Sequence, residues 1–302
     1  MAATLFNAID FEGNMKIKDY LSMLRMEQWY KNLVVFLAIL FSENLFNAPM
    51  LEMTVLAFFA LCLTSSANYI INDIADRKSD ASNHEKKNRS IAAGKISLVY
   101  GLIIAGILLL AAILIANSIS RYFVYAILFL FFFTQLYSFF LKKEAIADIL
   151  CIGINFVTRA VAGALAINVW ISPWLILGPF FLSIFLSTGK RYSELMYHGK
   201  NAVAQRKALQ MYSLELMNAL LLMSTACLII SYSLYCFLSQ QKYLLISLPF
   251  AMYAVFRYFQ LVYSGSEVAR MPQKIFKDAR ILLAMFLWLI SVLGAVYLIK
   301  AF

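Results

Sequence analysis

The densest chemistry in the sequence is Asn72-Asp73-Ile-Ala-Asp76-Arg-Lys-Ser-Asp80. On a helix, spacings of three and four return to one face, so residues 72 or 73, 76 and 80 form a single stripe. Carboxylates placed this way repel one another unless a cation lies among them. Oxygen donors of this kind suit Mg²⁺, which commonly takes one or two carboxylates together with substrate phosphates. The alternative is a solvated helix end neutralised by Arg77 and Lys78. Immediately downstream runs His84-Glu-Lys86-Lys87-Asn-Arg89-Ser-Ile-Ala-Ala-Gly94-Lys95. Basic residues in such a place contact lipid headgroups. Beside a carboxylate stripe they also suit a clamp on the anionic oxygens of a phosphate that arrives with a metal.

Two further clusters lie downstream. The first, Tyr137-Ser-Phe-Phe-Leu-Lys142-Lys-Glu-Ala-Ile-Ala-Asp148, is followed by Asn155 and Arg159, which share a helical face with Asp148. Arg159 falls inside an apolar block. An arginine near mid-bilayer costs about 2.5–3.5 kcal/mol on insertion scales, so this one must face a polar cavity or a partner. A structural pair with a carboxylate or with helix-end carbonyls is the other reading. The second cluster is Ser187-Thr-Gly-Lys190-Arg191-Tyr192-Ser-Glu194, where Lys190 and Glu194 also have the spacing of a surface pair. Cys62, Cys151, Cys227 and Cys236 sit in apolar stretches without metal-ligand spacing and read as small hydrophobes. His84 and His198 each lack a second histidine at ligand spacing. No glycine-rich phosphate loop or Rossmann fingerprint is present.

The elements that must position these groups are membrane spans. The chain is 63% hydrophobic and 14% charged, with mean hydropathy +0.77, against roughly 25% charged residues in a typical soluble domain. Nine apolar blocks stand near 33–49, 53–71, 98–117, 122–141, 146–169, 172–189, 213–237, 243–264 and 281–301. At about 1.5 Å per residue, each can cross a hydrocarbon core about 30 Å thick. Of the 26 lysines and arginines, 22 fall in alternate loops, on the side that also holds the aspartate stripe. The other side has only Arg121, Lys242 and Lys300, and Arg159 lies within a block. Basic residues are retained on the cytoplasmic side, so the amino terminus and the long loops are expected there and the carboxyl terminus outside. Residues 1–18 read as a soluble or surface-lying arm without the pattern of a signal peptide. The basic excess is assigned to the membrane and to phosphates, with no nucleic-acid partner expected. A transporter of lipid phosphates would also be polytopic, but transporters tend to show repeated halves and helices broken near mid-membrane. No internal repeat is visible, and the polar residues gather at one end of the spans.

Asn-Asp-x-x-Asp-x-x-x-Asp closing the second span resembles the UbiA superfamily of intramembrane prenyltransferases. Further segments are similar to its decaprenyl-phosphate phosphoribosyltransferase branch: Leu24-Arg25-Met-Glu-Gln28-Trp29-Tyr-Lys31-Asn32, Asn88-Arg89-Ser-Ile-Ala-Ala-Gly94, Tyr137-Ser-Phe-Phe-Leu-Lys142, Asp148-Ile, Thr158-Arg159-Ala-Val-Ala-Gly163 and Gly189-Lys190-Arg191-Tyr192-Ser-Glu194-Leu. The branch usually has proline where Ser90 stands. Most of the superfamily carries a second aspartate-rich motif after span six; here that position holds one acid and two bases. The resemblance implies a nine-helix all-α bundle around a cytoplasm-facing polar cavity in a bacterial inner membrane, with residues 19–302 as one catalytic domain. It implies transfer of 5-phosphoribose from phosphoribosyl pyrophosphate to a polyprenyl phosphate. In that scheme Asp73, Asp76 and Asp80 hold Mg²⁺, Lys86, Lys87 and Arg89 hold pyrophosphate, and Lys190 and Arg191 grip the ribose phosphate. Asp148 would face positive charge developing at the sugar carbon, and Lys31 and Lys142 would take the lipid phosphate. Asn72, Tyr137, Arg159 and Glu194 complete the expected substrate site. A prenyltransferase using prenyl diphosphate and an aromatic or other acceptor is the alternative within the superfamily.

Overall fold

A computed structural model describes residues 22–82, 87–198, 209, 211–241 and 243–298. The expected arm over residues 1–18, and Lys86 of the expected pyrophosphate clamp, lie outside the described residues. Those described form helices, turns and loops, with no strand among them. The order is a 3₁₀ helix Met26–Val35 running into α1 (Phe36–Phe41), then α2 (Ala48–Ser82), α3 (Leu98–Ile119), α4 (Arg121–Phe139) and α5 (Ala147–Ala166). It continues with α6 (Pro173–His198), α7 (Leu214–Leu238), α8 (Leu248–Tyr263) and α9 (Ala279–Leu293).

Seven helices among the described residues are long and apolar enough to cross a membrane, and the chain is a multi-pass integral membrane protein. Two of the nine expected blocks are not among these seven. Block 33–49 is divided between the ten-residue 3₁₀ helix, six-residue α1 and a loop, none of them a full α-helical span. Block 172–189 becomes α6, a 26-residue helix that carries Pro179 and continues past the apolar block into Lys190–Glu194.

α2 packs along α3, α5 along α6, and α6 along α7. The α2–α3 seam is lined by small buried residues, with Ala57, Ala60 and Ala67 on α2 and Gly101, Ala105, Ala112 and Ala116 on α3. Small side chains let membrane helices approach closely enough for dispersion contacts to hold them. The opposite face of α3, with Ile107, Leu110 and Leu114, is more than half exposed, as a lipid-facing surface must be. Caps fix several ends: Ser97, Ser120 and Ser213 each accept a backbone N–H from the first turn of α3, α4 and α7. Asp278 caps α9 through the Arg280 and Ile281 amides while pairing with Arg257 of α8 at 2.8 Å.

Candidate active site

α2 outruns its apolar block, so its last turns stand clear of it and carry the acidic stripe. Ser65, Asn68, Asn72, Asp76 and Asp80 recur at three- and four-residue steps and all line one cavity of about 1740 Å³. Asp73, one position aside, is buried and faces away from the cavity wall, toward Arg25 and Arg89. Arg89 Nη1 donates both to Asp73 at 3.1 Å and to Asp80 at 2.6 Å. It is presented by a turn in which Ser90 O accepts the Lys95 and Ile96 amides and Gly94 adopts φ 72. Buried Ile91 and Ile96 pin that turn against Ile70 of α2 and Met23. Lys87 is exposed and lies off the cavity wall.

The second wall comes from α4, α5 and the short turn between them. Lys142 Nζ reaches Asp76 at 2.6 Å and the Asn72 side-chain oxygen at 3.4 Å. Tyr137 lines the cavity and donates to Asp148 at 2.6 Å. Asp148 has no exposed surface, is not on the cavity wall, and gives its other oxygen to Arg191 Nε at 2.9 Å. Both Asp148 oxygens thus face protein groups, with Arg191 on the cavity side of it. α6 supplies Lys190 and Arg191 to the cavity, with Glu194 behind them at 3.7 and 2.8 Å. Gly189 lets this turn press against α8, since a Cβ there would come within 2.9 Å of the Tyr258 ring.

A third group lies further along α2 and α5, away from the stripe. Arg159 donates from Nε to the Asn32 side-chain oxygen at 2.8 Å and from Nη1 to the Asn155 carbonyl at 2.7 Å. Asn155 in turn accepts from Thr134 at 2.9 Å. Asn32 donates to Cys62 at 3.2 Å. Lys31 and Tyr69 line the same part of the cavity. From these polar groups the cavity continues between α1, α6, α7, α8 and α9, past Leu37, Gly178, Tyr232, Ala251 and Trp288, to Trp170 and Gln241 near the opposite end.

Residues 32–290 match the model of the UbiA prenyltransferase family. The chain belongs to this family. Among named members it is 30% identical over 299 residues to a decaprenyl-phosphate phosphoribosyltransferase of Corynebacterium glutamicum, covering 92% of this chain and 87% of that one. It is 28% identical over 297 residues to the protein of the same name from Mycolicibacterium smegmatis, covering 92% of each. In fold it is similar to a UbiA homolog from Archaeoglobus fulgidus solved with GPP and Mg²⁺, at TM-score 0.71 and 18% identity over 92% of this chain and 99% of the other. The same homolog was also solved with Cd²⁺, at TM-score 0.68 and 17% identity, again over 92% of this chain and 99% of the other. The family is one of membrane transferases, and its fold is what these solved structures share with the present chain.

Of the residues picked from sequence, Lys31, Asn72, Asp76, Asp80, Arg89, Tyr137, Lys142, Arg159, Lys190 and Arg191 line this one cavity, while Asp73, Asp148 and Glu194 stand behind it. Three participants escaped sequence reasoning as site residues: Arg25, Asn32 and Tyr69. Arg25 holds Asp73 and adopts φ 49, a left-handed conformation that non-glycine residues seldom take outside constrained sites. Its signal was its place in the Leu24–Asn32 segment. Tyr69 carried none, being one of 17 tyrosines in the chain.

Proposed function

We propose that this family member transfers 5-phosphoribose from phosphoribosyl pyrophosphate to a polyprenyl phosphate, with Mg²⁺, and releases pyrophosphate. The observation that carries this reading is Lys190 and Arg191 on the cavity wall, where most of the superfamily has a second set of aspartates. A guanidinium matches phosphate oxygens in a bidentate fork. Here it is held from behind by Asp148 and Glu194, so it meets a ligand in a fixed orientation. The names of these two relatives point the same way.

The acidic stripe fits Mg²⁺ by donor chemistry. Asn72, Asp76 and Asp80 offer hard oxygens along one wall, and Mg²⁺ completes its shell with water and substrate phosphates rather than a cage of three or more acids. No such cage occurs among the described residues. Bound there, the ion would neutralise charge building on the departing pyrophosphate. The remaining work falls to the chain's own groups. Arg25, Arg89 and Lys142 neutralise the stripe and present N–H donors to the mouth of the cavity. Lys190 and Arg191 hold the phosphate on the ribose. The bond between the anomeric carbon and the pyrophosphate oxygen breaks, and a bond from that carbon to a lipid phosphate oxygen forms. The nucleophile is already an anion and the leaving group departs as one, so no dedicated base is required. Asp148 acts through Arg191, as a positioning residue. The distribution of basic loops supports a cytoplasmic mouth, where a water-soluble sugar phosphate is at hand.

Purified protein in detergent, given radiolabelled phosphoribosyl pyrophosphate, Mg²⁺ and a polyprenyl phosphate, should yield labelled lipid. Asp76→Ala should abolish this labelling while the chain still inserts into membranes. Turnover only with a prenyl diphosphate and an aromatic acceptor would replace the reading with the ordinary family reaction.

A further inference from the structure

The charges around the cavity divide into two groups that differ in how they are balanced. At the mouth, five cations, Arg25, Arg89, Lys142, Lys190 and Arg191, make ion pairs with Asp73, Asp76, Asp80, Asp148 and Glu194. Deeper in, Lys31 and Arg159 form no ion pair with a carboxylate among the described residues. Arg159 is only 7% exposed, yet its neighbours are neutral: Asn32, the Asn155 carbonyl, Cys62, Tyr69 and the Phe156 ring. Its Nη2 group makes no hydrogen bond to the described residues, and the side chain lines the cavity. Tyr69 has Lys31, Arg159 and Arg25 as charged neighbours: Lys31 hydrogen-bonds it, and the Arg25 guanidinium lies over its ring at 5.1 Å. Glu27 lies four residues before Lys31, but on a 3₁₀ helix of three residues per turn that spacing turns it about 120° away.

A buried cation without a counter-ion, presenting free N–H donors to a cavity, is arranged to receive an anion. The placement selects which anion. Arg159 stands eleven residues beyond Asp148 on α5, about 16 Å along its axis, and so on the side where the cavity lining becomes mostly apolar. An anion held there has apolar walls behind it and the mouth in front. That suits a phosphate monoester carrying a long hydrocarbon chain better than a sugar diphosphate.

We propose that Lys31, Tyr69 and the Nη2 group of Arg159 form a second anion subsite that receives the phosphate headgroup of the lipid acceptor, adjoining the donor site at the mouth, to which Arg25 connects it. This rests on the transferase reading for the word acceptor, but not for the binding itself. It removes Lys142 from the lipid phosphate and leaves it with Asp76.

The test uses two variants, with lipid binding measured without donor and the donor's KM measured in turnover. Arg159→Gln keeps a donor toward Asn32 and removes the charge. Asn32→Asp is nearly isosteric, keeps the acceptor for Arg159 and supplies the missing counter-ion from within the protein. The purified protein should bind farnesyl phosphate at least about tenfold more tightly than farnesol. Both variants should lose most of that preference, with the KM for phosphoribosyl pyrophosphate unchanged within about twofold. A purely structural Arg159–Asn32 tie would be tightened by Asn32→Asp and leave the preference intact, and that result overturns the proposal. So does a variant that keeps its hold on farnesyl phosphate but weakens for phosphoribosyl pyrophosphate or inorganic pyrophosphate, since the subsite then belongs to the donor. Binding of farnesyl phosphate with the stated sensitivity, in a protein that transfers no phosphoribose, would refute the proposed reaction and leave the subsite standing.

Discussion

At the scale of single residues, the strongest constraint is that the acids near the mouth are committed to partners. Asp148 and Arg191 are the extreme case, with side chains 0% and 3% exposed and 2.9 Å between them. Removing one member of a buried pair strands the other, at a cost of about 3–5 kcal/mol. Losing a neutral hydrogen bond costs about 1 kcal/mol. Asp148→Asn should therefore lower the thermal midpoint of the solubilised protein clearly more than Tyr137→Phe, which removes only the 2.6 Å bond to the same carboxylate. Because Arg191 would lose one of its two carboxylate supports, Asp148→Asn should also raise the KM for phosphoribosyl pyrophosphate. Equal midpoints for the two variants would show that the pair carries no special weight. The sequence made both residues candidates but could not join them, since 43 positions separate them. The reaction implied by the resemblance set Asp148 against the sugar carbon, as a carboxylate facing positive charge. Only packing reveals that both carboxylate oxygens are already taken. The aspartate stripe was easier to read, because helical spacing alone puts 72, 76 and 80 on one face.

Among the elements, apolar length foretold most helices but not the form of the first block. Hydropathy reports how much apolar chain is available, whereas the turn type depends on what the chain must touch. The 3₁₀ segment Met26–Val35 lies so close to α5 that a Cβ on Gly163 would stand 2.2 Å from the Val35 carbonyl oxygen. This approach brings Asn32 to Arg159 at 2.8 Å. Gly163→Ala should push the segment outward, because the clash is with backbone that cannot rotate away. Overpacking of this kind costs about 1–3 kcal/mol. Gly106→Ala on α3 is the matched control. A Cβ there meets nothing within 4 Å, and alanine is the better helix former by up to about 1 kcal/mol. Thermal midpoints measured in one detergent should fall for Gly163→Ala and hold or rise for Gly106→Ala. The prediction fails if the two glycines respond alike. Gly163 closes one of the segments similar to the branch, but spacing and hydropathy do not show which of the chain's 11 glycines is crowded, because crowding is a property of the neighbouring element.

For the molecule as a whole, the feature least legible in the sequence is the length of the cavity. It is made by the gaps between helices, and an aromatic or leucine facing a gap looks in sequence like one facing a core or a lipid. From Arg191 to Trp174 both ends of α6 line it, a rise of about 25 Å against a hydrocarbon core of about 30 Å. The polar groups occupy one end, and the walls beyond Arg159 are mostly apolar, with Leu37, Gly178, Leu182, Ala251 and Met285 among them. A lipid whose phosphate sits near Arg159 would lay the first part of its tail along these walls. Gly178 offers a direct check, because a Cβ there meets open space and α6 should accept a larger residue without strain. Gly178→Leu should leave turnover of a short polyprenyl phosphate such as farnesyl phosphate nearly intact and reduce that of a decaprenyl phosphate. The ratio of the two kcat/KM values should shift by about tenfold, which corresponds to about 1.4 kcal/mol of lost contact with the longer tail. An equal fall on both lipids would place the tail elsewhere. A selective fall would show that the chemistry at the mouth and the apolar length behind it act on one substrate. The enzyme would then measure its lipid along the same cavity in which it holds the phosphate.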